Sequence, residues 1–265
     1  MAYLASKGVQ VAANPEAAAL LGVEPVLIEE LAEADLVITF GGDGTLIRAA
    51  NACSEKGTPI LGVYYGRFGF VTQCSGSEIR ACLAEFMEGH AVLEERMMLQ
   101  TELLRAGQVV ATLHSLNEMS LQRDAAARMM TFRVVVDDHV LTKYPADGVM
   151  IATPTGSTGY SLSAGGPVVD PKVQALLLTA IAPHTLSARP LVLSPDSKIE
   201  IDLETEGDSI LSGDGQTRLH LLSGDRVRVI RSPRVTRLLS IEKDDFLIKL
   251  GGRLLWGRRH LGGDA

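Results

Sequence analysis

The chain has 265 residues, of which 46% are hydrophobic and 22% are charged, as is typical of a globular protein with one large domain or two modest ones. Its formal net charge of −7 at pH 7 argues against binding to nucleic acid or anionic lipid, because both need a basic protein surface. No apolar run approaches the roughly 20 residues of a membrane-spanning helix, and residues 1–10 lack the features of a secretory signal, so a cytoplasmic protein is expected.

The first third of the chain alternates helical segments with buried strands. The helical segments have apolar residues three or four positions apart, and the strand segments are short, β-branched runs. They are expected in this order: helix 29–34, strand 35–40, helix 46–56 with Thr45 as its N-cap and Gly57 as its stop, strand 59–63, and a helix that Ser77 caps and that runs to about residue 87. This order predicts a parallel, layered α/β unit.

The hydrophobic period changes near residue 97. Beyond that point polar and apolar residues alternate, which is typical of strands with one solvent-facing side. Strands are expected at 108–111, 113–121, 131–136, 198–204 and 225–229. The pairs Ala106-Gly107 and Asp137-Asp138 occupy positions where hairpin turns belong. The middle of the chain is therefore predicted to be mostly antiparallel β-sheet.

A glycine-rich segment, Gly-Gly-Asp-Gly-Thr at 41–45, lies between a predicted buried strand and a predicted helix. Its glycines let backbone amides approach an anion closely, and the helix adds its positive end, so a phosphate is the expected ligand. Asp43 would repel phosphate unless it faces a hydroxyl that must lose a proton, or a bridging Mg²⁺. A tight turn with Asp43 as a local cap explains the same residues, because short glycine motifs are weak evidence.

A longer polar segment runs from Asp147 to Pro167. It begins with an apolar strand at 149–152 and continues with a glycine-rich stretch that contains several hydroxyl side chains. The hydroxyl residues are Thr155, Ser157, Thr158 and Ser161. Such a stretch presents hydroxyls and amides to a polar ligand, and Tyr160 offers a ring on which a base can stack. A purely structural loop rarely needs so many small hydrogen-bonding side chains.

The pair Asn117-Glu118 interrupts the apolar strand predicted at 113–121. Neighbouring residues on a strand point to opposite faces, so at least one of the two is expected to lie inward. A buried amide or carboxylate costs a few kcal/mol unless it is paired, and a ribose diol is a suitable partner. A position at the edge or end of a strand explains the pair equally well.

The cysteines and histidines predict no metal site. Cys53, Cys74 and Cys82 have no metal-ligand spacing, so reduced thiols are expected. The six histidines show no paired spacing either.

Together these segments resemble the NAD kinase (ATP-NAD kinase) family. The matching segments are 41–45, 61–62, 66–70, 117–118, 147–148, 153–167, 183–190 and 214–216. The resemblance covers nearly the whole chain from about residue 35 onward, and segment 153–167 is highly specific. It implies an α/β domain over 1–96 that carries the 41–45 loop and lacks the family's first strand. A β-sandwich-like, NAD-binding domain over 97–236 follows, with a tail over 237–265 that packs back on the first domain.

The resemblance implies transfer of the γ-phosphoryl of ATP, or of another phosphoryl donor, to the 2′-hydroxyl of the adenosine ribose of NAD, which makes NADP. Asp43 would accept the proton, with Gly44 beside it. Asn117 and Glu118 would hold ribose hydroxyls, and Asp147 would bind the nicotinamide end. The other implied NAD contacts are Phe70, Arg128, Thr158, Gly159, Tyr160, Ser161, Leu162, Ser163 and Gln216. The implied phosphate loop consists of Gly41, Gly42, Gly44 and Thr45.

The implied cofactor is Mg²⁺, or another divalent metal, bound with ATP, and the implied assembly is a homodimer or homotetramer with the NAD site across a subunit interface. The chain departs from the family pattern at three positions besides its start. Tyr64 stands where many members carry Asn, Pro145 where several carry a basic residue, and Gly159 where Ala is usual.

Two other functions share some of these features. A lipid kinase of the diacylglycerol or sphingosine type would also carry Gly-Gly-Asp-Gly, but segment 153–167 and the lack of a basic membrane-facing patch count against it. A non-catalytic NAD-binding protein would bind NAD without forming a product. For an NAD kinase, the phosphoryl donor is ATP, another triphosphate or inorganic polyphosphate.

Overall fold

The computed structural model describes residues 1–66, 69–72, 74–124, 129–204, 207–240 and 246–254. Over these residues the chain forms seven α-helices, one 3-10 helix at Thr155–Thr158 and fifteen β-strands. The α-helices are α1 (Ala2–Ser6), α2 (Pro15–Leu21), α3 (Ile28–Leu31), α4 (Asp43–Lys56), α5 (Ile79–Met87), α6 (Tyr160–Ser163) and α7 (Phe246–Leu254). The strands are β1 (Val37–Phe40), β2 (Ile60–Tyr64), β3 (Cys74–Ser75), β4 (Val92–Arg105), β5 (Gln108–Ser115), β6 (Glu118–Arg123), β7 (Met130–Val136), β8 (His139–Ala146), β9 (Gly148–Ala152), β10 (Leu176–Ile181), β11 (Leu191–Leu193), β12 (Ile199–Leu203), β13 (Ser209–Gly213), β14 (Thr217–Leu221) and β15 (Arg226–Ser240).

The α/β order predicted for the first third of the chain is confirmed. β1, β2 and β3 lie side by side in parallel. Leu46 of α4 shares a buried cluster with Ile60 of β2, whereas Leu83 of α5 lies in a second cluster with Leu61 and Val63. Because Ile60 and Leu61 are successive residues of one strand, they point to opposite faces. Helices therefore cover this part of the sheet on both sides.

The start of α4 differs from the sequence prediction. The helix begins at Asp43 with Gly42 as its N-cap, so the prediction of Thr45 as the N-cap was wrong. Gly41 has a φ of 150°, which favours glycine, and this sharp turn lets the helix begin soon after β1 ends. The end of the helix is as predicted, because Gly57 adopts the left-handed conformation with a φ of 76°.

The predicted antiparallel β-sheet is also confirmed, as part of two packed sheets. The larger sheet has nine strands in the order β1-β2-β15-β12-β7-β8, with β3 paired to β2, β4 to β15, and β5 to β4. The smaller sheet has six strands in the order β11-β10-β9-β6-β13-β14. Phe132, Ile201 and Val229 of the larger sheet share one buried cluster with Leu121 and Ile151 of the smaller sheet. The two sheets therefore form a sandwich around a common core.

Both predicted hairpin turns are confirmed. Ala106-Gly107 joins β4 to β5, Asp137-Asp138 joins β7 to β8, and each pair of strands is antiparallel. The division of the chain at residues 96 and 236 stays a prediction, because β4 and β15 each run across one of these positions.

The single strand predicted at 113–121 was wrong, because two strands occupy this segment. β5 ends at Ser115 and pairs with β4 in the larger sheet, whereas β6 begins at Glu118 and pairs with β9 and β13 in the smaller sheet. Leu116 and Asn117 connect the two sheets, and we call residues 116–118 the crossover. The pair Asn117-Glu118 interrupts the apolar pattern at this break, so the alternative interpretation of the pair as lying at the end of a strand fits the structure.

The helix α7 lies against the N-terminal part of the chain. Phe246, Lys249 and Leu250 are buried, and Lys249 Nζ donates a hydrogen bond to the carbonyl of Thr72 at 3.4 Å. Among the described helices, α7 included, none has the length and apolar character needed to cross a membrane.

Candidate active site

Asp43 lies at the first position of α4 and contacts a distant segment, residues 69–72. Its Oδ2 accepts a hydrogen bond from the Phe70 amide at 2.8 Å. Its Oδ1 accepts hydrogen bonds from the Val71 and Thr72 amides at 3.1 Å and from the Thr72 hydroxyl at 3.3 Å. No side-chain cap closes the N-terminus of α4, so the interpretation of Asp43 as a local cap does not fit. The carboxylate is held in one orientation, and among the described residues Oδ2 accepts one hydrogen bond, which leaves it room to accept another.

The predicted phosphate loop forms the entry to α4. Gly44 and Thr45 lie in the first turn of the helix, after the turn at Gly41 and Gly42. A Cβ at Gly42 or Gly44 would meet no atom of the described residues within 4 Å, so these residues leave the space beside both glycines open. The positive end of a 14-residue helix therefore faces a volume next to Asp43 that the described residues leave free.

The crossover brings two polar side chains into the protein without partners. Asn117 Oδ1 and Glu118 Oε2 are both buried and, among the described residues, neither has a hydrogen-bond partner. Leu116, beside them, packs in the same buried cluster as Leu46 of α4 and Val71 of the segment that holds Asp43. The crossover therefore adjoins the start of α4.

Segment 153–159 packs directly on the crossover. The Thr153 amide donates to the Asn117 carbonyl at 2.8 Å, and the Thr153 hydroxyl donates to the Leu116 carbonyl at 2.6 Å. A Cβ at Gly159 would lie 3.4 Å from both Asn117 Nδ2 and Glu118 Oε2, which places Gly159 beside the two polar side chains. Three of the residues predicted as NAD contacts, Asn117, Glu118 and Gly159, are thus brought together.

The residues that follow Gly159 have different environments. Thr158 donates its hydroxyl to the Thr155 carbonyl at 3.3 Å, and Tyr160 is exposed. Ser161 is fully buried beside Gly166, and its Oγ has no hydrogen-bond partner among the described residues. Leu162 is half-buried and Ser163 is exposed.

Asp147 lies in a separate part of the site, between β8 and β9. Arg123, at the end of β6, donates from Nε to Asp147 Oδ1 at 2.7 Å, and this hydrogen bond lowers the pKa of Asp147. Arg123 was not predicted from the sequence. The only sign of it is that it lies five residues beyond Glu118 at the end of a strand, and a terminal arginine is common in proteins that bind no ligand.

The remaining predicted contacts are spread over the molecule. Phe70 lines a cleft of about 170 Å³ together with Lys172 and Phe246. Gln216 is exposed in the turn between β13 and β14. Arg128 lies outside the described residues.

Asp214 is the main site residue that sequence reasoning passed over. It lies two residues before Gln216, and its carboxylate accepts hydrogen bonds from the amides of Leu116, Asn117 and Glu118. Burial raises the pKa of Asp214 to about 6, although the hydrogen bonds from these three amides lower it. Burial also raises the pKa of Glu118 to about 7, and the negative charge of Asp214 adds to this shift. The signal in the sequence was the motif Asp214-Gly-Gln216, which carries no sign of a contact with residues 116–118.

Few side chains among the described residues are placed to bind a metal ion together. Over the part of the chain that the structure describes, no three His, Cys, Asp or Glu side chains converge to form a metal site. A divalent ion here would have to take most of its ligands from a bound phosphate chain and water, as Mg²⁺ commonly does.

Comparison with known families gives two matches that follow each other along the chain. Residues 21–91 match the ATP-NAD kinase N-terminal domain, and residues 116–241 match the ATP-NAD kinase C-terminal domain. The NAD kinase of Desulforamulus reducens is 42% identical over 250 residues, which cover 93% of this chain and 87% of that protein. The NAD kinase of Symbiobacterium thermophilum is 43% identical over 242 residues, which cover 90% of this chain and 86% of that protein.

Two solved structures have a similar fold. A yeast NADH kinase in complex with NADH has a TM-score of 0.87 and 27% identity, and covers 97% of this chain and 81% of its own. An NAD kinase from Archaeoglobus fulgidus in complex with ATP has a TM-score of 0.73 and 28% identity, and covers 92% of this chain and 98% of its own. Both similarities extend over the α/β part and the sandwich together.

Proposed function

This chain belongs to the NAD kinase family and is a phosphotransferase that makes NADP, and we propose that Asp43, Asn117 and Glu118 carry its reaction. The observation that carries the proposal is the pair of buried, unpartnered atoms Asn117 Oδ1 and Glu118 Oε2 beside Gly159. A lipid kinase and a non-catalytic binding protein are both disfavoured, since the related proteins named above are NAD kinases along most of their length.

The two unpartnered atoms suit the hydroxyls of a ribose. A buried polar atom without a partner costs roughly 1–3 kcal/mol, so these atoms favour a ligand that donates hydrogen bonds. A ribose diol donates two hydroxyl protons, and a carboxylate at Glu118 accepts them, while the amide of Asn117 both donates and accepts. The complex of the yeast relative with NADH supports a dinucleotide as the ligand.

Asp43 is proposed as the proton acceptor for the 2′-hydroxyl of the adenosine ribose. Its carboxylate is fixed by the amides of residues 70–72, and the crossover with its two ribose contacts adjoins the start of α4. Phosphoryl transfer depends mainly on alignment and on neutralising charge, so a base held in one orientation serves it well. A base in this role typically accelerates transfer by about 10²–10⁴-fold.

The phosphoryl donor is proposed to bind at the start of α4, with its phosphates near Gly41, Gly42, Gly44 and Thr45. The space that the described residues leave open at Gly42 and Gly44 and the positive end of the helix favour a phosphate chain there. The complex of the Archaeoglobus relative with ATP supports ATP as the donor, and another triphosphate or polyphosphate would use the same amides. When bound, Mg²⁺ or another divalent ion would neutralise part of the charge on these phosphates.

The rest of the dinucleotide is proposed to extend along two further surfaces. Tyr160 is exposed and would stack on adenine, with Thr158, Ser161, Leu162 and Ser163 around it. Asp147, oriented by Arg123, would bind the nicotinamide carboxamide. Phe70, Gln216 and Arg128 are proposed as outer contacts.

We further propose that the chain is a cytoplasmic homodimer or homotetramer, with an α/β domain over 1–96, an NAD-binding domain over 97–236 and a tail over 237–265. The three cysteines are buried free thiols, which suits a reducing compartment. Exposed apolar side chains on β8, β11 and the segment before β11 support an interface between subunits. They are Val140, Leu141, Leu186 and Val192.

The test of the catalytic proposal is NADP formation from NAD, ATP and Mg²⁺, followed with an NADP-specific dehydrogenase. Asp43→Asn should lower kcat by about 10²–10⁴-fold while the Kd for NAD stays within about threefold of the wild-type value. Replacing ATP by another triphosphate or by polyphosphate in the same assay identifies the donor. Near-normal turnover by the Asp43→Asn variant would show that Asp43 is not the base.

A further inference from the structure

We propose that Asp214 is a positioning residue, which holds the backbone of the crossover so that the side chains of Asn117 and Glu118 face the ribose. This inference rests on the proposed function of those two residues. It assigns a role to a carboxylate on the turn between β13 and β14, which belongs to neither the phosphate loop nor segment 153–159.

Both oxygens of Asp214 are used by the crossover. Oδ2 accepts a hydrogen bond from the Leu116 amide at 2.8 Å. Oδ1 accepts hydrogen bonds from the Asn117 and Glu118 amides at 2.8 and 3.0 Å. In the other direction, the Asp214 amide donates to the Glu118 carbonyl at 2.9 Å. Four hydrogen bonds therefore fix three successive residues against one turn.

The position of these bonds explains why a carboxylate is needed. Residues 116–118 lie where the chain leaves one sheet and enters the other, so their amides converge on a point outside the regular ladder of either sheet. A single side chain that accepts hydrogen bonds from three amides needs two acceptor oxygens. Among uncharged and acidic side chains, only a carboxylate has two. Asp214 also has a φ of 50°, an uncommon conformation for a residue other than glycine. Such a conformation persists where the surrounding contacts determine it.

A change in this backbone would affect the side chains of Asn117 and Glu118, whose buried oxygens have no hydrogen-bond partner among the described residues. A peptide plane that rotates at Asn117 or Glu118 would turn Asn117 Oδ1 and Glu118 Oε2 away from their present positions beside Gly159. With Asp214 in place, the site is ordered before the ligand arrives, so less of the binding free energy is lost to ordering. Asp214 therefore acts on NAD affinity through Asn117 and Glu118, and has no contact with Asp43 among those the structure describes.

The variant Asp214→Asn tests this role. An amide keeps the shape of the side chain but places an NH₂ group where one oxygen accepted an amide, so at least one of the three bonds is lost. We expect the KM for NAD to rise about tenfold, with kcat and the KM for ATP within about twofold of the wild-type values. The matched control is Asp225→Asn, since Asp225 is a buried turn carboxylate that accepts the Leu222 amide and pairs with Arg105, in another turn. It should lower the Tm without changing the KM for NAD.

A double-mutant cycle with Glu118→Gln distinguishes a failure of the inference about Asp214 from a failure of the ribose assignment of Glu118. Glu118→Gln alone should raise the KM for NAD about tenfold, and the double variant should raise it by clearly less than the product of the two single effects. A full product, about 100-fold, would show that Asp214 acts independently of Glu118 and would overturn the inference. The inference is also overturned if Glu118→Gln raises the KM and Asp214→Asn does not. If Glu118→Gln leaves the KM unchanged, the ribose assignment itself fails and the inference fails with it.

Hydrogen exchange on the wild-type protein covers the case in which Asp214→Asn does not fold. The amides of residues 116–118 should exchange slowly in the absence of NAD, because Asp214 already holds them. Fast exchange that becomes slow only when NAD is added would contradict the inference.

Discussion

Gly69 lies against the carboxylate of Asp43 with no room for a side chain between them, since a Cβ at Gly69 would be 1.8 Å from Oδ1. The Gly69 amide donates to the Thr72 hydroxyl at 3.0 Å, and that hydroxyl donates to Asp43 Oδ1. Residues 69–72 thus wrap closely around the proposed base. The orientation of Asp43 depends on the absence of a side chain at a position 26 residues further along the chain.

The variant Gly69→Ala is expected to displace Asp43 and so to lower kcat. A shift of about 1 Å at a reacting group can cost about 10²-fold, and we expect a loss of this order with the KM for NAD within about threefold of the wild-type value. Steady-state kinetics with NAD and ATP give both parameters. Gly251→Ala is the control, because a Cβ at Gly251 in α7 would meet no atom of the described residues within 4 Å. A Gly69→Ala variant with wild-type kcat would show that Asp43 does not need this orientation.

Glu118 is expected to make the stability of the ligand-free protein depend on pH. Burial raises its pKa from the ordinary value of 4.5 to about 7, so the folded protein binds this proton more tightly than the unfolded chain does. The contribution of Glu118 to stability is therefore fully present below pH 4.5 and is lost as the pH rises through about 7. The neighbouring elements β9, β13 and segment 153–159, all of them described, contain no titratable side chain. Asp214 supplies the neighbouring charge, and Tyr160, at the start of α6, is exposed.

Glu118→Gln removes that titration and should stabilise the ligand-free protein at pH 8 but not at pH 5. The gain at pH 8 is expected on the order of 2 kcal/mol, or about 5 °C in Tm. Thermal unfolding of both proteins at the two pH values measures it, with the exposed Glu24→Gln as the control. An equal Tm difference at pH 5 and pH 8 would contradict the raised pKa.

Gly156 and Gly159 are expected to respond differently to replacement by alanine. A Cβ at Gly156 would lie 2.2 Å from the carbonyl oxygen of Asn117, a backbone atom that cannot move aside without displacing the crossover. Among the described residues, a Cβ at Gly159 would come no closer than 3.3 Å to any atom, which a small adjustment accommodates. We therefore expect Gly156→Ala to lower the Tm by several degrees and to raise the KM for NAD about tenfold or more. Gly159→Ala should keep the KM within about threefold, and equal effects of the two changes on Tm and KM would refute the packing described.

The sequence predicted the parts of this fold that depend on local pattern. A strand was predicted from the β-branched run at 35–40, and further strands from the period-two segments. Hairpin turns were predicted from the pairs Ala106-Gly107 and Asp137-Asp138. The structure contains these strands and turns. The crossover was missed because the segments on both sides of Asn117-Glu118 are apolar, so the pair fits an interruption within one strand as well as the end of a strand. Asp214 was missed as a site residue because its partners lie about 100 positions earlier in the chain and are backbone amides, which every residue but proline has.

Arg123 and Asp147 form the last part of the site whose role can be tested, and their effects on NAD binding are expected to overlap. Both side chains are partly exposed, at 28% and 37%, so the ion pair adds little to stability, and we propose that its value lies in orienting Asp147 toward the carboxamide. We expect Asp147→Asn to raise the KM for NAD about tenfold and Arg123→Gln to raise it about threefold. The double variant should match Asp147→Asn alone, because Arg123 has no effect once its partner is changed. Effects that multiply, to about 30-fold, would mean that Arg123 contacts NAD itself, and unchanged KM values in all three variants would move the nicotinamide end elsewhere.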